Sequence, residues 1–333
     1  MRKISGILIA SALVSTLALT GCAQADETLT GSGSSFMNSF QQTCSAAYTD
    51  TKVTYTSKGS GTGKTEFANG TTDFGGSDSL YGSDAPADFV YVPLVGGPIG
   101  IVYNIEGVRS LRLTPELLDQ IFTGKIETWN SEAIAAENPA AALPDSKIQI
   151  VYRSDSSGTT SNFGNYMAQN LGGSWKQADA WADASGSTIG TGANKNSGVV
   201  TTVQGLANSI SYADVADAKA ANLPFAAIRN GSGQFVEPTA AASSKFLGQQ
   251  QVGANGEVAI DYTAEVAGGY PIVLVSYGLA STASANPTKA SAVKDYFSYI
   301  LNTCGPKEAA KSGYVAIAGP LKNKSLELVE AIK

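Results

Sequence analysis

Apolar residues along this chain fall into short, β-rich runs separated by stretches of helical spacing. Lys52–Thr56, Phe89–Val95, Gly100–Asn104, Ile148–Tyr152, Ser209–Tyr212 and Ile272–Tyr277 read as strands. Pro115–Phe122 and Ser161–Leu171 carry helical spacing, and Ala290–Leu301 shows an amphipathic stripe of Val293, Tyr296, Phe297, Ile300 and Leu301. Alternation of this kind predicts an α/β architecture. At 333 residues the chain exceeds what one core usually serves, so two domains are expected. Gly96-Gly97-Pro98 and Gly268-Gly269-Tyr270-Pro271 interrupt strand-like runs far apart in sequence and read as crossings between two lobes. A chain that leaves one lobe near residue 97 and returns near 270 makes lobe I discontinuous, residues 22–96 plus 272–333, with lobe II at 97–271. Glycine near such crossings suits a hinge. The Gly/Ala/Ser/Thr-rich runs Ala182–Gly198 and Ala280–Ala285 read as surface loops, because apolar segments resume within a few residues on each side.

The first residues carry an address. Arg2 and Lys3 precede an uncharged, mostly apolar stretch from Ile4 to Leu19, too short for a comfortable membrane span, so residues 1–21 are expected to be a secretory signal. Leu19-Thr20-Gly21-Cys22 resembles the bacterial lipobox, in which the cysteine receives a diacylglycerol and becomes the mature N-terminus. Two acyl chains hold far better than one, so an extracytoplasmic protein anchored to the bacterial cell membrane through Cys22 is expected.

Charge removes one class of partner. The full chain has a formal charge of −6, and loss of residues 1–21 leaves 20 basic against 28 acidic residues, a charge of −8. Nucleic acid is excluded on that balance. A small anion is not, because binding is set by donors at contact while distant surface charge is screened over about 10 Å. With Cys22 lipidated, Cys44 and Cys304 remain; in an exported chain they either pair, tying an early helix to a late one within one lobe, or stand as two separate buried thiols.

Three Gly/Ser/Thr loops run into segments that read as helices: Gly31-Ser32-Gly33-Ser34-Ser35, Gly59-Ser60-Gly61-Thr62-Gly63 and Ser156-Ser157-Gly158-Thr159-Thr160. Such loops cradle anions, since glycine lets backbone N–H groups turn inward, hydroxyls add donors and a helix N-terminus adds partial positive charge. Beside the third loop stands Arg153, whose planar fork suits a tetrahedral oxyanion, and Asp155 is placed to orient that fork. Asp78 follows Phe74-Gly75-Gly76-Ser77 at a strand-end turn. Other chemistry falls away. The chain has no histidine, hence no Ser-His-Asp triad and no histidine metal site, and the elbow G-x-S-x-G is absent. Gly59–Thr65 is one residue short of a nucleotide P-loop, and cysteine zinc fails on number and spacing. Asp73, Asp78, Asp84 and Asp88 lack the calcium-loop pattern, and Trp175, Trp181 and Tyr166 read as core rather than as a sugar platform. No metal, cofactor or catalytic residue is expected.

At these loops the sequence resembles the substrate-binding protein of bacterial phosphate-specific ABC transporters, the PstS type. The resemblance runs in the family's order through Leu29–Phe36, Gly59–Gly63, Thr72-Asp-Phe-Gly-Gly-Ser-Asp78, Phe122-Thr-Gly-Lys-Ile-Glu-Thr-Trp129, Arg153-Ser-Asp-Ser-Ser-Gly-Thr159 and Gly190–Gly198, with Met37 where a proline is frequent and Ser156 where a glycine is frequent. It implies a type II periplasmic-binding-protein fold of two α/β lobes with a ligand cleft between them. It also implies phosphate contacts from Ser35, Phe36 (through its backbone N–H), Ser60, Asp78, Arg153, Ser157, Gly158 and Thr159. The partners implied are inorganic phosphate, the membrane permease subunits of an importer and their cytosolic ATPase, with the chain itself a monomer. Asp78 is the expected acceptor for a phosphate proton, which sulfate lacks. A different oxyanion such as sulfate or molybdate, a surface phosphatase, and an adhesin or sensor role stand as alternatives.

Overall fold

The computed structural model describes residues 28–333; the expected signal segment 1–21 and Cys22 lie outside the described residues. One large sheet contains β1 (Leu29–Gly33), β2 (Val53–Ser57), β3 (Phe74–Ser77), β4 (Phe89–Asn104), β5 (Gln149–Arg153), β6 (Thr191–Ala193), β7 (Ser209–Asp214), β8 (Val273–Ser281) and β9 (Val315–Ala316). Its order is β2-β1-β3-β8-β4-β7-β5-β6, with β9 added on β4. The helices that matter for the site are α1 (Asn38–Ala47), α2 (Ser60–Ala68), α3 (Pro115–Phe122), α4 (Gly158–Leu171), α5 (Lys195–Gly205), α6 (Val215–Ala220), α7 (Ala240–Leu247) and α8 (Pro287–Tyr299).

β4 exchanges partners midway. Phe89–Pro98 run antiparallel to β8, and Ile99–Asn104 run antiparallel to β7. Beyond each exchange the neighbours are parallel, β1 with β2 and β3 on one side and β5 with β7 and β6 on the other. Parallel pairs need crossover helices, here α1 and α2 on one side and α4 and α5 on the other. Ligands of such sheets meet the carboxyl ends of the strands.

The break expected at Gly96-Gly97-Pro98 does not occur, and β4 runs straight through it. Gly97 is there because another chain segment comes close: a Cβ on it would lie 3.0 Å from the Phe36 ring. The N–H that Pro98 lacks falls where β4 changes neighbour, and the ladder resumes with Ile99 N–H donating to the Ile272 carbonyl at 2.8 Å. Gly31–Gly33, read as part of the loop Gly31–Ser35, belong to the strand Leu29–Gly33, held on both edges. Ala182–Gly198, read as surface loop, holds a short helix at Trp181–Ser185, the edge strand β6 and the first turn of α5. A three-residue edge strand with one buried side chain has no apolar run to reveal it. The segment from α7 through a small hairpin of Gln251–Val252 and Val258–Ala259 lies on the first half of β4, with Val258 N–H donating to Tyr277 Oη at 2.9 Å.

The core is aromatic-rich. Phe163 stacks on Tyr212 with ring centroids 4.8 Å apart, and Trp175 and Trp181 pack into the same buried cluster, as core residues do. The α8 stripe and the turn that follows bury Val293, Tyr296, Phe297, Ile300 and Leu301. Cys44 on α1 and Cys304, just past α8, are joined in a disulfide.

Candidate functional site

Two helix N-termini meet at the strand ends. α2 starts at Ser60 behind Gly59 at φ 90°, and α4 starts at Gly158 behind Ser157, whose Oγ caps the helix by accepting from Thr160 N–H at 3.1 Å. The first amides of each helix lack intrahelical acceptors and bring partial positive charge to one place. Gly61 N–H donates across to the Ser156 carbonyl at 3.2 Å, so the two helix starts touch.

Asp78 sits at the end of β3, buried between them. Its Oδ1 accepts from Ser34 Oγ at 2.6 Å and from Ser276 Oγ, and its Oδ2 accepts from Ser60 Oγ at 3.4 Å. Asn162 on α4 donates to the Asp78 carbonyl at 2.6 Å. Burial pushes the carboxyl up to about 6, against the pull of the Ser276 and Ser34 hydroxyls and the Arg153 charge. A carboxyl held near neutrality in this way takes or shares a proton readily.

Arg153, at the end of β5, is as buried as Asp78. Its Nε donates to Asp155 Oδ1 at 2.7 Å and its Nη2 to Oδ2 at 2.6 Å, the two-pronged pairing that the spacing of these residues suggested. Burial works to raise the Asp155 carboxyl, but the Arg153 fork and the Lys195 amide hold it below the usual carboxylate range. The remaining prong, Nη1, faces Thr159 Oγ1 at 3.5 Å. Tyr212 Oη accepts from the Arg153 N–H at 3.2 Å and contacts Thr160 Oγ1 at 2.7 Å, fixing the strand end to α4.

The structure therefore brings Ser60, Asp78, Arg153, Ser157, Gly158 and Thr159 into one buried group, with Ser35 joined to it through Asn196 Nδ2, which lies 3.1 Å from Ser35 Oγ and 3.3 Å from Thr159 Oγ1. Phe36 is placed differently from its expected role. Its N–H donates to Ser34 Oγ at 3.0 Å, which in turn serves Asp78. Ser34, Ser276, Asn162 and Asn196 have no role in the sequence reading. Ser34 and Asn196 lie inside loops that the sequence singled out, whereas nothing local marks Ser276, 198 positions from Asp78.

Beyond the group, Asp214 at the end of β7 caps α6 and accepts from Tyr314 Oη at 2.9 Å, while Tyr314 also reaches the Phe36 carbonyl at 2.7 Å. Burial raises the Asp214 carboxyl well above its ordinary value, and nearby Asp217 adds to it. The chemistry on offer in the group is many hydroxyl and amide donors around the buried Asp78 acceptor.

Residues 20–303 match a family model described as a PBP superfamily domain. The chain is 34% identical over 313 residues to the phosphate-binding protein PstS of Xylella fastidiosa, covering 91% of this chain and 84% of that one. It is 32% identical over 313 residues to the phosphate-binding protein PstS3 of Mycobacterium bovis, covering 89% and 82%. Its fold is similar to that of a high-affinity periplasmic phosphate-binding protein, PfluDING, solved with bound phosphate, with a TM-score of 0.76 at 23% identity over 89% of this chain and 92% of that one.

Proposed function

The chain belongs to the PstS family of phosphate-binding proteins within the PBP superfamily, and from that membership we propose that it captures inorganic phosphate outside the cytoplasm and delivers it to an ABC importer. The observation that carries this reading is the buried convergence of Arg153 and the hydroxyls of Ser60 and Thr159 near Asp78, whose carboxylate, unlike that of Asp155, is not paired with Arg153. Ser35, Phe36, Ser60, Asp78, Arg153, Ser157, Gly158 and Thr159 are the proposed contacts, Phe36 through an N–H that exchanges Ser34 for the ion.

A dehydrated phosphate needs many donors, and these residues supply them. At neutral pH it also carries a proton, which needs an acceptor. Asp78 provides one. Sulfate would set a lone pair against the same carboxylate, and sites built to pair a substrate hydroxyl reject analogues lacking it by about 10⁴–10⁵.

Lobe I, residues 22–96 plus 272–333, and lobe II, residues 97–271 apart from the α7–hairpin segment that lies on the first half of β4, close on the ion, with the partner exchange in β4 as one of the crossings. The loaded, closed form is what the permease subunits and their ATPase receive. The protein acts as a monomer held to the membrane by lipid on Cys22. It is a binding protein, and no bond of the ligand is broken.

Equilibrium dialysis of the phosphate-stripped mature chain against radiolabelled phosphate tests the reading. One ion per chain is expected, lost in Arg153→Met. Release of chromophore from a phosphate ester would instead make it a phosphatase.

A further inference from the structure

Asn196, the second residue of α5, is fully buried and touches both sides of the proposed cleft. Its Oδ1 accepts from the Asp214 N–H at 3.0 Å, which fixes which way the amide faces. The Nδ2 group then lies 3.1 Å from Ser35 Oγ and 3.3 Å from Thr159 Oγ1. The backbone N–H of Asn196 donates to Ser35 Oγ as well, at 3.1 Å. That amide is aimed inward by the preceding residue, Lys195, which holds the left-handed φ of 65°.

A hydroxyl oxygen has two lone pairs and one proton. Ser35 Oγ has both lone pairs engaged by Asn196, so its proton is left to donate elsewhere. Thr159 Oγ1 accepts from Arg153 Nη1 at 3.5 Å and from Asn196, with the same result. Ser34 and Ser276 are set the other way, their protons directed to Asp78. We infer that Asn196 is a positioning residue that makes Ser35 of lobe I and Thr159 of lobe II obligatory donors to a bound oxyanion. The inference rests on the reading of this group as the phosphate site. It separates the cleft into a donor side governed by Asn196 and an acceptor side governed by Asp78.

The test is a double-mutant cycle in phosphate titration of the stripped protein, with unliganded melting recorded for every variant. Asn196→Ala is expected to weaken phosphate binding about tenfold or more, the order expected for a hydrogen bond to a charged group. If Asn196 acts through the Ser35 hydroxyl, Asn196→Ala combined with Ser35→Ala weakens binding at least about fivefold less than the product of the two single effects. Asn196→Ala combined with Ser60→Ala, a pair without contact, multiplies. Should the alanine variant fail to melt cooperatively, Asn196→Ser takes its place in the cycle. An Asn196 variant that binds phosphate like the parent, or effects with Ser35 that multiply as they do with Ser60, overturns the inference. A parent chain that binds no phosphate overturns the functional reading itself, and this inference with it.

Discussion

Lys64 on α2 and Asp179, 115 positions later, form a largely buried ion pair of 3.0 Å beside the site. Asp179 Oδ2 also accepts from Ser79 Oγ at 3.0 Å and Ser156 Oγ at 3.4 Å, and Lys64 Nζ reaches the Leu80 carbonyl at 3.0 Å. Both ions are thus tied to neighbours, and the pair bridges the proposed lobes. Charge pairs of this kind act mainly on dissociation. Lys64→Met is expected to speed phosphate release about tenfold with little change in capture, measured by stopped-flow with a fluorescent competitor. An unchanged release rate would remove the pair from the closing mechanism.

Gly158 is a point of close approach between the start of α4 and the residues around α2 and β3. A Cβ there would lie 2.6 Å from Ser60 Oγ, 2.7 Å from Asp78 Cβ and 2.8 Å from Ser79 N. These contacts, one of them to a backbone nitrogen, outweigh alanine's better helix propensity, so Gly158→Ala is expected to lower the unliganded melting temperature. It should act as a wedge against closure and weaken phosphate binding by about a hundredfold, given the cost of overpacking a fitted contact. Small-angle scattering should show less contraction on adding phosphate than in the parent. Full affinity in this variant would mean that closure leaves more room here than the geometry allows.

Asp78 gives the unliganded protein a pH signature. Its carboxyl is raised by burial to about 6 in the folded chain, so its contribution to stability is complete at low pH and is lost as pH rises through about 6. Asp78→Asn removes the titration. The stability of Asp78→Asn relative to the parent should therefore grow between about pH 4 and pH 7, by up to about 3 kcal/mol. Chemical denaturation at a series of pH values without phosphate reads this directly, and a difference that stays flat contradicts it.

The Cys44–Cys304 bond closes a loop across 260 positions, from α1 to the turn beyond α8. Its loss should cost about 2–5 kcal/mol of stability, because a long loop is released in the unfolded chain. The paired serine variant should melt earlier yet bind phosphate within a few-fold of the parent, since neither residue lines the site. A large loss of affinity would show that the bond positions the first loop.

The elements whose faces are sorted by burial were legible in the sequence. Pro115–Phe122 is a helix with the bounds its spacing suggested, and the Ala290–Leu301 stripe is buried. Elements set by contact from afar rather than by local pattern were not legible there. Gly96-Gly97-Pro98 carries the signature of a turn yet runs as strand, because the room glycine leaves is filled by Phe36, which lies about 60 positions away along the chain. The acid, the arginine and the loop hydroxyls were legible because each stands in a motif whose residue types suit an oxyanion. Their supports were not: Ser276 reaches Asp78 over 198 positions, and Asn196 reaches Ser35 over 161. Only the folded sheet brings these pairs together.

In the proposed function this cradle holds a protonated oxyanion and reads its proton with Asp78. Isothermal titration of the stripped mature chain at neutral pH, with phosphate and then with sulfate, tests it most directly. Tight one-to-one phosphate binding with no sulfate response, and a gain of sulfate binding in Asp78→Asn, is the expected result. Equal binding of both ions by the parent chain would contradict the role given to Asp78, and silence toward both would contradict the account as a whole.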